Sequence, residues 1–387
     1  MDKIIFAQLL DHVPKHSFKK RADKLDKPSG NQKLSSWEQF LFMSFAQLTS
    51  CSGLRNIETC LRAMSSKLYH IGLYSDISKT SLSRINDTRS STIFKSLCES
   101  LIKIARELYK DDKFCTSINE IVYVLDSTYI SLCLSMFPWA QIGKQNKSII
   151  KIHTLIDLRG SIPSFIDISD ASVSDNKILD KIQIEPGAFY IMDKAYVDFK
   201  RLSFIEESQG FFVVRFKINI NFKRIYSEPC DQAKGVISDQ VGKLNGSVGK
   251  RKYINKVRKI TFHDQERNKT LVFMTNNFSL PADSIALLYK KRWQIEIFFK
   301  WIKQNLKIKK FYGYSQNAVE TQIWIAISTY LMVAIAKKKL NLKQPLHQIL
   351  HFLSISLFEN TSLFEALSLK SSAASSDSSP KQLNLFN

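Results

Sequence analysis

A chain of 387 residues is long enough for two or three domains, and its 44% hydrophobic content excludes global disorder. Lysine and arginine outnumber aspartate and glutamate by 56 to 35, a formal net charge of +21, which favours a polyanionic partner, with nucleic acid first. The bases are spread along the chain rather than gathered in one amphipathic segment, which argues against a membrane surface, and six cysteines without a Cys-x2-Cys pair suggest neither a zinc ribbon nor a disulfide framework.

Residues 1–34 are polar and basic, and Pro14, Pro28 and Gly30 interrupt any helix, so they read as an arm that orders on a partner. The start lacks a long apolar run followed by a small-residue cleavage site, and the expected location is the cytoplasm. Periodicity then predicts a helix capped by Ser36 and ending near Leu48, a second from Leu54 to about Leu68, and further helix from Ser81 to Tyr109. Residues 1–115 thus read as a basic arm and an all-helical domain, a candidate for DNA binding. The stretch from Ser78 to Arg89 supplies hydroxyls and arginines suited to phosphates and base edges. A capped, solvent-facing helix is the equal alternative.

Strand character begins at Ile121, in an apolar, β-branched run that ends in Asp126. Runs at 129–136, 149–157 and 162–168 follow, with Arg159-Gly160 as a tight turn, giving a hairpin-connected antiparallel set. A short helix at 176–182, a buried strand from Ala188 to Asp193, a helix at 197–208 and a strand at 211–217 complete a first core segment over 116–217. Residues 218–269 turn polar and basic, with glycines marking turns, and read as a β-rich insertion. The core resumes over 270–345 with a strand at 270–275 and a helix opened by Pro281. The apolar run from Ile323 to Ala336 is shorter than the roughly 20 residues of a membrane span and reads as a buried helix. A C-terminal helix and a serine-rich, mobile tail occupy 346–387.

The richest segment runs from Tyr289 to Lys303. At 100° per residue, Tyr289, Arg292, Glu296, Lys300 and Lys303 share an arc of about 60–80°, while Leu288, Ile295, Phe299, Ile302 and Leu306 line another side. One face then offers a carboxylate for a divalent cation among bases and a phenol that hold phosphates. Its plain alternative is an exposed glutamate paired with Arg292 or Lys300 on the helix surface. An isolated strand-end aspartate such as Asp126 or Asp193 is likewise more often a cap or turn former.

The spacing Tyr289-x2-Arg292-x3-Glu296-x6-Lys303 resembles the signature of bacterial cut-and-paste transposases of the insertion sequence 4 family. The resemblance spans roughly 116–345. It implies a ribonuclease H-like α/β fold, a mixed sheet with flanking helices interrupted by the β-rich insertion, with Asp126, Asp193 and Glu296 as catalytic triad. By resemblance, these acids hold two Mg²⁺ or Mn²⁺ ions, hard cations suited to carboxylate oxygens. The implied activity is metal-dependent cleavage at the terminal inverted repeats of an insertion sequence, followed by strand transfer into target DNA by a homodimer. Tyr289, Arg292 and Lys303 become phosphate contacts, and helical geometry adds Lys300. Lys250 and Arg251, in a basic cluster with Lys243, Lys252, Tyr253, Lys256, Arg258 and Lys259, extend that surface in the insertion. His153 reads as a packed residue, Asp198 as a local structural one, and Trp293, Trp301 and Trp324 as core more than base contacts. A ribonuclease H-like repair or recombination nuclease, and a non-catalytic regulator derived from a transposase, stay open as alternatives.

Overall fold

A computed structural model describes residues 3–25, 34–49, 51–74, 78–112, 118, 120–142, 147–246, 252–305 and 311–367. The chain divides into two compact units, one of residues 1–108 with 302–387 and one of residues 109–301. Residues 302–345 group with the N-terminal helices.

The helical unit contains α1 (Ile5–Leu10), α2 (Lys15–Leu25), α3 (Ser36–Leu48), α4 (Leu54–Ala63), α5 (Lys79–Thr88) and most of α6 (Thr92–Tyr109). The expected arm is ordered through Leu25, because Ile5, Phe6, Leu9 and Phe18 are fully buried. Phe18 packs on the Trp37, Phe40 and Phe94 rings at centroid distances of 6.0, 6.2 and 6.1 Å. The lysines and arginine around Phe18 masked this narrow apolar stripe, and Pro14 sits just before α2, where proline is tolerated. The cap of α3 is Ser35, one residue earlier than expected, in a capping box with Glu38. Arg89 is buried and donates to Gln39 Oε1 at 2.9 Å and Leu34 O at 2.6 Å, so it holds α3 and the end of α5 together rather than facing a ligand.

The other unit is built on a nine-stranded sheet: β1 (Val122–Leu132), β2 (Ser148–Asp157), β3 (Ile162–Asp170), β4 (Phe189–Met192), β5 (Phe211–Arg215), β6 (Phe222–Glu228), β7 (Val236–Leu244), β8 (Val257–Asp264) and β9 (Lys269–Thr275). Its order is β3-β2-β1-β4-β5-β9-β8-β7-β6. Strands β1, β2 and β3 are antiparallel, while β4 and β5 run parallel to β1, which is the ribonuclease H-like arrangement. The 3₁₀ turn Asp175–Lys181 and α7 (Phe199–Glu207) cover one face through Leu179, Leu202 and Ile205, packed with Tyr123, Leu125, Tyr190, Met192, Phe212 and Val214. Each such large apolar side chain stabilises by roughly 1.5–3 kcal/mol relative to exposure.

Two expectations change here. The runs 121–126 and 129–136 are one strand, because β2 pairs with β1 from Tyr123↔Asp157 to Leu132↔Ser148 and carries the ladder across polar Ser127 and Thr128. The β-rich insertion continues the core sheet, since β8 pairs with β9 and extends it outward through β7 to β6. The single helix expected from Pro281 is two, α8 (Ala282–Lys290) and α9 (Trp293–Asn305), joined at Lys291–Arg292 by i→i+3 bonds such as Arg292 N to Tyr289 O at 3.0 Å.

After α9 the chain returns to the helical unit with α10 (Gln316–Lys339) and α11 (Leu346–Ser356). Helix α10 is long and apolar enough to cross a membrane, but its residues from Ala318 to Ala336, Glu320 apart, are buried inside protein. The serine-rich tail lies outside the described residues.

Candidate active site

The parallel ladder between β1 and β4 ends at Leu125↔Met192, and one step further along each strand stand Asp126 and Asp193. Asp126 is not at a strand end as expected. It lies inside β1 at the point where the parallel neighbour stops, so a gap opens beside it in an otherwise continuous sheet. Its Oδ1 accepts from the Ser127 N–H at 2.8 Å. Ser127 Oγ donates to Asp175 Oδ1 at 2.8 Å, and the buried Lys151 ammonium pairs with the same oxygen at 2.9 Å. That network fastens the strand just beyond Asp126 to the turn Asp175–Lys181.

The helical half of the site comes from the α8–α9 joint. Tyr289, near the end of α8, is buried against Phe273 of β9 with ring centroids 4.8 Å apart, and its hydroxyl donates to Asp193 Oδ1 at 3.2 Å. Arg292, in the joint, donates from Nη1 to Asp126 Oδ2 at 2.5 Å and from Nη2 to Glu296 Oε1 at 2.6 Å. Residues 126, 193, 289, 292 and 296 are thus brought to one place.

Burial pushes the Asp126 carboxyl above its ordinary range, more than the Arg292 charge and the Ser127 N–H pull it down, and Asp193 and Glu296 add to the rise. Burial also works against the charge of Arg292, but Asp126, Tyr289 and Glu296 outweigh it and hold the guanidinium above its usual value. The Tyr289 phenol is pushed up, chiefly by burial. Asp126 is therefore a part-buried acid with other acids beside it, a place that favours added positive charge.

Carboxylate oxygens are the donors that Mg²⁺ or Mn²⁺ prefer, so Asp126, Asp193 and Glu296 fit such an ion in kind. Among the described residues, however, no three His, Cys, Asp or Glu side chains stand close enough together to hold one. The cation spanning Asp126 and Glu296 is the arginine.

Tyr289 is buried beside Asp193, and Arg292, part exposed, is turned onto Asp126 and Glu296. Lys300 stays exposed on α9, and Lys303, half-buried, falls in the helical unit. Lys250 and Arg251 lie outside the described residues. Within the rest of the basic cluster, Lys243, Lys252 and Lys256 are exposed, but Arg258 is buried in a bidentate pair with Asp239 at 2.9 and 2.6 Å. Tyr253 is buried edge-on to Phe212, and Lys259 lies over the Phe216 and Phe222 rings. Trp324 is buried, whereas Trp293 is half exposed under Arg267.

Two features escaped the sequence reading. Arg215 closes β5, and its charge reaches the Tyr289 phenol. Its signal was the same as that of Asp193, a polar residue ending a buried parallel strand, but extending the strand to Lys217 hid it. The Ser127–Asp175–Lys151 network had no signal, since its members lie far apart in sequence.

Asp198 caps α7 by accepting from Arg201 N at 3.2 Å, in keeping with a local role. His153 is fully buried, with Nε2 at 3.2 Å from Ser169 Oγ. Burial first, then the Lys151 charge, push its imidazole from 6.5 down to about 4, against the opposing pull of Asp175 and Asp167. The unfolded chain therefore binds a proton between those values that the native state refuses. This contribution to stability is complete above pH 6.5 and is lost as the pH falls toward about 4. Denaturant titrations across that window should show a shallower decline for His153→Gln than for the parent, and parallel declines would mean that His153 is protonated in the native state.

Sheet order and site together define an α/β protein of ribonuclease H-like topology with acids gathered from two strands and a helix. The chain belongs to the Transposase DDE domain family, whose model matches residues 119–332, and residues 1–74 match a domain of unknown function, DUF4372. It is 35% identical over 240 residues to the candidate transposase y4zB of Sinorhizobium fredii, a match covering 61% of this chain and 66% of that protein. It is 34% identical over 76 residues to a protein of Geobacillus stearothermophilus named as a transposase for insertion sequence element IS5377, covering 20% of each. A third relative, a candidate transposase of insertion sequence element IS4SA from Synechocystis, is 41% identical over 51 residues, covering 13% of this chain and 15% of its own length. Each match spans less than two thirds of the relative's length. A solved piggyBac transposase synaptic complex with hairpin DNA aligns with a TM-score of 0.43 at 11% identity, covering 93% of this chain and 79% of that one.

Proposed function

We propose that the protein is a DNA transposase that binds the terminal inverted repeats of an insertion sequence and performs divalent-cation-dependent strand cleavage and strand transfer. The observation that carries this reading is the gathering of Asp126, Asp193 and Glu296 around Arg292 and Tyr289, from strands and a helix far apart in sequence. Asp126, Asp193 and Glu296 would hold two Mg²⁺ or Mn²⁺ ions, which when bound stabilise the attacking and leaving oxygens of an in-line displacement at phosphorus. Tyr289 orients Asp193 through its hydroxyl, and the Ser127 N–H fixes the Asp126 carboxylate. Lys300 takes a backbone phosphate from its exposed place on α9, with Lys303, Lys250 and Arg251 extending the contact.

In this reading residues 1–115 form the helical DNA-binding domain, 116–217 and 270–345 the two parts of the catalytic core, 218–269 the insertion and 346–387 the C-terminal segment. Two copies pair the element's ends as a homodimer, working in the cytoplasm on target DNA of the nucleoid.

The test is an assay for nicking and joining with Mg²⁺ on linear DNA that carries the element's ends. Cleaved ends joined to target DNA are expected. Cleavage without joined product would favour a nuclease, and no cleavage a regulator that only binds. Lys300→Ala should lower the slope of log affinity against log salt by about 1, and an unchanged slope would remove Lys300 from the interface.

A further inference from the structure

Arg292 occupies the ground that an ion shared by Asp126 and Glu296 would need. Its two terminal nitrogens are spent one on each acid, at 2.5 and 2.6 Å, and both contacts are partly desolvated. The guanidinium is planar and permanently charged, so it cannot yield by losing a proton. We propose that Arg292 is a resident cation which a divalent ion must displace from between Asp126 and Glu296, and that a DNA phosphate draws it off.

The inference rests on the reading of these acids as the metal site. Three physical points carry it. Among the ion pairs of the described residues, Arg292 alone serves both Asp126 and Glu296, while Asp193 beside them has the neutral Tyr289 hydroxyl. Arg292 sits in the two-residue joint between α8 and α9, where the helical ladder is interrupted and a change of side-chain direction disturbs few backbone bonds. A phosphodiester offers a guanidinium the same forked pair of anionic oxygens that it now takes from two carboxylates. Removal of Arg292 by phosphate leaves Asp126 and Glu296 without their counter-charge, and a divalent ion then restores the balance. DNA and metal should consequently bind with positive coupling, and each must raise the affinity of the other by the same factor.

Calorimetric titration of the full chain with Mn²⁺, without and with a linear DNA duplex, tests this. For the parent chain, DNA should tighten Mn²⁺ binding by about 10-fold, within the usual range of such couplings. Arg292→Gln should bind Mn²⁺ about 10-fold tighter than the parent without DNA and gain little when DNA is added. Arg292→Lys, which keeps the charge, should restore weak binding without DNA. Equal Mn²⁺ affinity of the parent with and without DNA overturns the proposal even if no variant folds, as does an Arg292→Gln chain that binds Mn²⁺ no tighter than the parent. Asp126→Asn separates the two levels of inference. If it leaves Mn²⁺ binding intact, the metal site itself has been misassigned; if it abolishes binding while Arg292→Gln has no effect, only the displacement idea falls.

Discussion

Asp126→Asn is expected to lower Mg²⁺-dependent DNA cleavage by on the order of 10³-fold or more, because groups that act as a unit lose nearly all their effect when one is removed. Asp193→Asn and Glu296→Gln should do the same, and pairs of these changes should cost little beyond one. The unfolding midpoint of the Asp126 variant should hold steady or rise. Burial holds that carboxyl above its ordinary range, which favours the uncharged amide of the same shape, and this offsets the loss of the ion pair with Arg292, which keeps Glu296. Side-by-side cleavage assays and thermal melts check both halves. A variant that folds and cuts at the parental rate would remove Asp126 from the chemistry.

Arg258→Ala should destabilise the sheet-containing unit by about 3–5 kcal/mol, the usual cost of breaking a buried ion pair by removing one partner. Both side chains of the Arg258–Asp239 pair are less than one-tenth exposed, and Arg258 also donates to the carbonyls of Leu280 at 2.6 Å and Asn277 at 3.3 Å. Those carbonyls belong to the segment that leads into α8, so the loss should reach the placement of Tyr289. Denaturant unfolding followed by tryptophan fluorescence would measure it. Replacing both partners with leucine should recover much of the loss, since two matched apolar groups avoid leaving a lone charge in the interior. A loss below about 1 kcal/mol for Arg258→Ala would class the pair with ordinary surface bridges.

The sheet was legible because its strands are short β-branched or aromatic runs with clear turns, as at Gly160, whose φ of 73° few other residues adopt. Asp126, Asp193 and Glu296 stood out because a polar residue closing an apolar run, and helical spacing, are local patterns. What stayed hidden is relational. Nothing in the sequence marks the α8–α9 joint, which contains neither proline nor glycine, so a regular helix placed Tyr289 and Arg292 in solvent. Arg258 looked like one more base in a basic stretch, and only the cross-strand neighbour Asp239 decides otherwise. The buried N-terminal stripe failed for a related reason: Phe18 and Ala22 are too few to outweigh the surrounding lysines until Trp37, Phe40 and Phe94 close over them.

Register makes the sheet a single transverse beam. Val124, Ile191, Val213, Thr275, Arg258, Val241 and Tyr226 pair successively from β1 across to the outermost strand, in one unbroken row only two residues before Asp126. The row passes through every strand between them, and the register shifts in that span, at Arg224/Tyr226 and Val236/Ser238, lie in the outer strands. Under the proposed function, DNA held on the outer strands would be kept at a set offset from Asp126 and Asp193, and the insertion would work as a ruler laid across the site.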